Sequence, residues 1–351
     1  MQKPLLAVFF LLIFFIQCDQ ANQTPKIKFI EQSAPNGISI RGSSVVDDQI
    51  AWFSGAKGSF AKTTNAGKNW LWDSISDATH LDFRDIHAFS DMEAIVLSAG
   101  NPAKIFKTLD GGKSWTEMYS DTTKGIFFNS MDFWDENNGI AVGDPIDGGF
   151  MMIQTKNGGE NWAKVPAENI PKPLKGEAQF AASGTCITTF GDNQVSFVTG
   201  GAAARVFISK DKGYSWQVIE SPIMSGKPSK GNFSVCFDKN GQGVIVGGDY
   251  KDVSLKKNTA SFTIDGGQNW QLAETAPPSG FNSCVAFIPG TNSRFVIATG
   301  TEGSNLSIDG GKNWSMIDTN SFNTLVFEPG GKYGWAAGSD GRIVKLVVGE
   351  D

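Results

Sequence analysis

Histidine is nearly absent from this 351-residue chain, which holds only His80 and His87. That excludes a catalytic zinc site built on several imidazoles and leaves a His-centred triad almost nothing to draw on. Arginine is scarce too, with five residues at positions 41, 84, 205, 294 and 342. With 30 Lys plus Arg against 36 Asp plus Glu the formal net charge is −6, so no basic field is available and nucleic acid is not an expected partner. Of four cysteines, Cys18 stands apart, and Cys186, Cys236 and Cys284 are odd in number, widely spaced and without a CxxC pair. No disulfide framework can be read from them, and each lies in an apolar strand-like run where a small buried hydrophobe is expected. No metal site and no cofactor are expected. There is no long helical period either. What the chain has instead is 41 Gly, 26 Phe and 10 Trp in short, Gly-punctuated runs, the profile of an all-β protein with many short strands and tight turns.

Residues 1–17 read as an export signal, because Lys3 precedes an apolar stretch from Leu5 to Ile16 that is too short to span a bilayer as a helix. Cys18 follows directly and resembles a bacterial lipoprotein cleavage site, where the thiol is lipidated and anchors the chain to a membrane. Ordinary signal-peptidase cleavage near Ala21 is the alternative. Residues 18–25 would then be a tether. Either reading places the mature chain outside the cytoplasm, in a periplasm, on an outer membrane of the Gram-negative type, or secreted.

One eight-residue phrase recurs six times, with terminal Trp residues spaced 45, 47, 54, 54 and 44 apart. Its copies end at Trp70, Trp115, Trp162, Trp216, Trp270 and Trp314, and each carries an acid or amide at its third position: Asn65, Asp110, Asn157, Asp211, Asp265 and Asp309. The phrase, Ser/Thr-x-Asp/Asn-x-Gly-x-x-Trp, resembles the Asp-box, or BNR, repeat of sialidase-type and related β-propellers. Asp or Asn before Gly makes a tight turn, the hydroxyl can fasten it, and Trp can wedge between neighbouring sheets. A structural role is expected for these boxes; they lack the ligand count of a calcium loop.

Two further runs precede each box, so four-stranded antiparallel blades can be drawn around them. After the sixth box come Phe322 to Phe327, Tyr333 to Ala337 and Gly341 to Leu346, three strands without a fourth. Lys26 to Gln32 at the other end of the chain can supply it. The expectation is a single seven-bladed propeller over residues 26–349, closed by pairing its two termini, which removes an exposed sheet edge.

In this arrangement the boxes join third to fourth strands, and the opposite face collects the loops that enter the inner strands and those that join second to third strands. Alignment of the inner strands places Arg41, Arg84, Asp85, Asn129, Ser183, Asn232, Asn282 and Asn323 around a channel mouth, and Arg205 follows a loop on the same face. Three guanidinium forks there suit a carboxylate or phosphate; each is equally open to pairing with a local acid. Asn101, Asp144, Asp147 and Asp249 add polar groups from the second set of loops, and the longest insertion, Pro166 to Ala182, carries Glu177. Satisfied packing is expected for both His.

The phrase TxDGGxxW also resembles propellers of the photosystem II stability and assembly-factor type. That resemblance implies a non-enzymatic scaffold, a monomer, that holds a protein or peptide, or a carboxylate-bearing ligand, at the mouth. A glycoside hydrolase of the sialidase type is the alternative, with Tyr250 as nucleophile, Glu177 as its activator and Asp85 as acid, although no Arg-Ile-Pro phrase opens the first blade. Oxidoreductase, a third reading, finds no Gly-rich phosphate loop, CxxCH or CxxC.

Overall fold

Short alternating runs separated by Gly-containing turns cannot bury both faces within one sheet, so each four-stranded unit stacks its faces against the units on either side. A computed structural model describes residues 24–32 and 37–349 and shows the outcome: seven sheets arranged as the blades of a propeller. The export and lipidation readings, Cys18 included, lie outside the described residues. Blade 1 runs from Ile40–Val45 at the centre to Leu71–Ser74 at the rim, blade 2 from Asp82–Ala88 to Thr116–Asp121, and blade 3 from Phe128–Phe133 to Ala163–Lys164. The inner strands of blades 4 to 7 are Ile187–Phe190, Lys230–Phe237, Cys284–Phe287 and Thr324–Phe327. Blade 7 is closed by the N-terminal strand Lys26–Gln32, which pairs antiparallel with Ile343–Gly349 from Lys26 opposite Gly349 to Gln32 opposite Ile343. No helix among the described residues is long and apolar enough to cross a membrane.

Seven apolar cores lie between the seven blade pairs. Six of them take a box Trp from the following blade: Trp115 packs with Trp52 and Phe60 of blade 1, and Trp216 with Phe197 of blade 4 in the core shared with blade 3. Blade 7 has no box, and its core with blade 6 is filled instead by Phe29 stacked on Phe322, with centroids 6.2 Å apart.

Every box makes the same bonds. In the second, the Thr108 hydroxyl donates to Asp110 Oδ1 (2.9 Å) and accepts the Gly112 N–H (2.9 Å), while Asp110 Oδ1 accepts the Ser114 N–H (2.9 Å). The amide-bearing first box reproduces this through Thr63, Asn65, Gly67 and Asn69. These bonds hold the Asp110 carboxyl down at about 2, the Ser114 hydroxyl and N–H contributing most.

Blade 5 departs from the four-stranded expectation. Its sheet has six strands, because Gly200–Gly201 pairs with the extended inner strand and Glu177–Ala178 pairs outside that. Both additions belong to the mouth face, and the second comes from the long insertion. Cys186 and Cys284 are fully buried, Cys236 is half-buried, and burial raises all three thiols above their ordinary value, which makes them poor nucleophiles.

Candidate functional site

The inner strands of blades 1, 2, 3 and 5 each carry a β-bulge near the mouth, and the residues skipped by the pairing are Arg41, Arg84, Asn129 and Phe233. A bulge leaves one residue out of the ladder and re-aims its side chain. This is the local device that turns those residues out of the blade packing and toward the end of the channel.

The polar ring expected from sequence includes Ser183, and the segment around it makes the densest contacts at the mouth. Residues 181–185, entering blade 4, fill the mouth and bond to all six other blades. Arg41 Nη1 donates to Ala182 O (3.2 Å), Arg84 Nη1 to Ala181 O (2.7 Å), and Ser130 Oγ to Gly184 O (2.6 Å). Thr185 and Ser234 share a hydroxyl contact at 2.6 Å, Ser183 Oγ donates to Ser283 O (2.7 Å), and Thr324 Oγ1 donates to Ser183 O (3.3 Å). Small side chains make this approach possible. Gly184 has φ +72°, and a Cβ there would stand 2.4 Å from the Asp85 carboxylate.

The insertion that precedes this plug is tied down in turn. Glu177, its side chain wholly buried, forms a two-point ion pair with Arg205, whose Nε lies 2.9 Å from Oε1 and whose Nη2 meets Oε2. Thr199 Oγ1 adds a bond to Glu177 Oε1 (2.5 Å), and Arg205 Nη2 also reaches Lys172 O (3.0 Å). Gln179 N–H donates to Asp144 Oδ1 (3.0 Å), which also accepts from Asn129 Nδ2 (3.0 Å). Burial raises the Asp144 carboxyl.

Of the three arginines expected to converge, two do. Arg41 and Arg84 sit side by side over neighbouring carbonyls, whereas Arg205 is consumed by Glu177. Arg41 is the more enclosed: burial lowers its pKa, the adjacent Arg84 lowers it further, and Asp82 partly offsets both. Arg84 Nε lies 2.7 Å from Asp82 Oδ2. The pair therefore presents two cations against one carboxylate.

Asp85 points the other way. It is buried, accepts the Ile86 N–H (2.8 Å) and, across the blade junction, the Met131 N–H (2.7 Å), and burial pushes its carboxyl well above the ordinary range. Tyr250 is 47% exposed and stands edge-on to the stacked rings of Phe180 and Phe233. Of the three residues considered for glycoside hydrolysis, Glu177 is paired to Arg205, Asp85 is buried between blades, and Tyr250 is exposed. Asn101 holds Thr122 O and Thr123 O at 3.0 and 2.9 Å, Asp147 occupies an exposed hairpin turn, and Asp249 Oδ1 accepts the Lys251 N–H (3.0 Å). Among the described residues no cluster of His, Cys, Asp or Glu could hold a metal.

Sequence reasoning missed Phe180, Gln179, Ala181 and Ala182 as mouth residues. The only signal was the length of the insertion they close.

Residues 97–217 match the PSII_BNR family, the photosynthesis system II assembly factor YCF48. The chain is a BNR-repeat propeller that resembles that family in fold. Among solved structures it is similar to YCF48 bound to a D1 peptide, at 17% identity and a TM-score of 0.63 over 93% of this chain and 98% of that one. YCF48 from Cyanidioschyzon merolae is similar at 16% identity and 0.63, over 92% and 98%. A GH74 xyloglucanase from Xanthomonas campestris is similar at 12% identity and 0.63, over 92% of this chain but only 53% of the enzyme. No curated protein sequence matches.

Proposed function

We propose that this protein is a non-enzymatic binding scaffold outside the cytoplasm, which docks a carboxylate-bearing protein or peptide on the mouth face through Arg41 and Arg84. The observation that carries this reading is the excess of one cation at the bulges of blades 1 and 2, where Asp82 alone faces two guanidinium groups. Arg41 and Arg84 each retain N–H groups beyond those given to Ala182 O and Ala181 O, and a carboxylate is the acceptor such forks fit. Phe180, Phe233 and Tyr250 supply an apolar shoulder on the same face. A solved propeller of the same fold is described as bound to a D1 peptide, which supports a peptide as ligand. Lipidation at Cys18 would tether the disk to a membrane as a monomer, with the rigid face free to dock.

The test is capture of partners from detergent-solubilised envelope by the wild type and by Arg41→Ala/Arg84→Ala. The reading predicts that at least one stoichiometric partner is lost from the variant and is competed from the wild type by a peptide with a free C-terminal carboxylate better than by its amide. Identical partner lists overturn the arginine-anchored reading.

A further inference from the structure

On the box face, three of the seven blade junctions are pinned by a lysine that crosses to the carbonyl at the fourth position of the next box, while three others carry Ile208, Phe262 or Leu306 at the equivalent position. Lys345 bonds Ala66 O (3.0 Å), Lys62 bonds Gly111 O (2.9 Å) and Lys107 bonds Gly158 O (2.8 Å). Between blades 3 and 4 the lysine is replaced by Gln154, which reaches Lys212 O (2.6 Å) with a shorter, neutral amide. Beside it a cavity of about 230 Å³ opens to the surface. It is lined by Trp134, Asn138, Lys156, Lys212 and Tyr214 with Gln154, and no carboxylate is among its walls.

Box 4 departs from the repeat at the two positions that build this cavity. Lys212 has φ +56° where four other boxes carry Gly, a left-handed backbone that any Cβ disfavours and that Ala66 of the first box shares. Its ammonium lies 5.5 Å from the Trp134 ring centroid and 3.4 Å from Asp135 Oδ2 outside the cavity. Tyr214, 51% exposed, accepts a bond from Lys156 Nζ at 3.1 Å, and that ammonium stands 5.8 Å from the Tyr214 ring centroid. Two ammonium groups, with Asp135 paired to Lys212 from outside the cavity, set against two aromatic rings in a space of this size, are complementary to one kind of ligand.

We propose that this cavity binds a small monoanion carried on a ring that offers an apolar face, with Lys156 and Lys212 receiving the anionic group and Trp134 and Tyr214 the apolar face of the ring. A carboxylated sugar and an aromatic acid share this chemistry. The site lies on the face opposite Arg41 and Arg84 and is independent of them.

Saturation-transfer NMR titrations of the protein with D-glucuronate, benzoate, D-glucose and inorganic phosphate test it. The expected result is saturable binding of at least one of the two acids, with glucose and phosphate weaker by about tenfold or more. The tighter of glucuronate and benzoate identifies the source as sugar or aromatic acid. Gln154→Lys installs the lysine found at three other junctions and fills the cavity, and Lys156→Met removes an exposed cation. Each should weaken the acid by about tenfold or more while the thermal midpoint stays within a few degrees of wild type. Absence of saturable binding by both acids, glucose binding as tightly as glucuronate, or undiminished binding by both variants overturns the proposal.

Discussion

On the box face, six turns repeat one hydrogen-bond set made by residues at most four apart in sequence; on the mouth face, the bulged residues differ from blade to blade, and their partners come from an insertion up to 141 residues away. The first face is redundant, since the loss of one box leaves five. The second converges on a single segment, residues 177–185, whose bonds reach every blade. A repeat builds the scaffold and one non-repeating insertion finishes it, so damage to the insertion should exceed damage to any box.

The largest expected effect is at Glu177. Glu177→Ala leaves Arg205 buried without its partner and should destabilise the protein by about 3–5 kcal/mol in chemical denaturation. Next is Gly184→Ala, where a positive φ combines with an approach of 2.4 Å to the Asp85 carboxylate; a loss of about 2–3 kcal/mol is expected by the same measurement. If either variant unfolds no earlier than a box variant, the contrast between faces fails.

A pH experiment sharpens the comparison at a blade junction. Burial pushes the Asp132 carboxyl from 3.8 up to about 6 and the His87 imidazole from 6.5 down to about 4, and the two groups lie 3.8 Å apart. The folded state holds the Asp132 proton longer than the unfolded chain does, so that contribution is present at low pH and is lost as pH rises from about 4 to about 6. His87 acts in the opposite sense: the unfolded chain takes up its proton first as pH falls, so stability rises with pH from about 4 toward 6.5. His87→Phe should therefore leave a stability that falls across this window, and Asp132→Asn one that rises, each by about 1–2 kcal/mol after allowance for partial exposure. Parallel slopes in the two variants would contradict the assignment.

Asp309→Ala removes one box carboxylate that accepts N–H groups from Lys312 and Asn313, and a loss of about 1 kcal/mol is expected. Arg41→Ala/Arg84→Ala releases two of the bonds that hold the plug and the ion pair to Asp82, and a loss of about 1 kcal/mol is expected, with the remaining bonds from blades 3, 5, 6 and 7 keeping residues 181–185 in place.

The box face was legible because a box is local: Thr108, Asp110, Gly112 and Trp115 specify their turn and wedge without reference to the rest of the chain. Closure of blade 7 was legible for a related reason, since three strands after the last box left one place for Lys26–Gln32. The identity of the mouth residues was half legible. Arg41, Arg84 and Asn129 fell on the ring because inner strands align, but no pattern of spacing announces that Ala181 O and Ala182 O meet the two arginines, nor that Glu177 claims Arg205. Those contacts depend on where a long insertion lands, which is decided by packing small residues into a channel. Lys212 was visible as an exception to Gly within the repeat, and its meaning emerged only with Gln154 and Trp134 beside it.

The docking claim is tested most directly by photo-crosslinkers installed one at a time, at Asn101 and Asp147 on the mouth face and at Lys113 and Glu160 on the box face, in the otherwise wild-type protein exposed to solubilised envelope. All four side chains are exposed. The account predicts a shared macromolecular adduct from the two mouth positions, absent from the box positions and abolished by Arg41→Ala/Arg84→Ala. Adducts from the box positions alone, or mouth adducts that survive the double substitution, would contradict it.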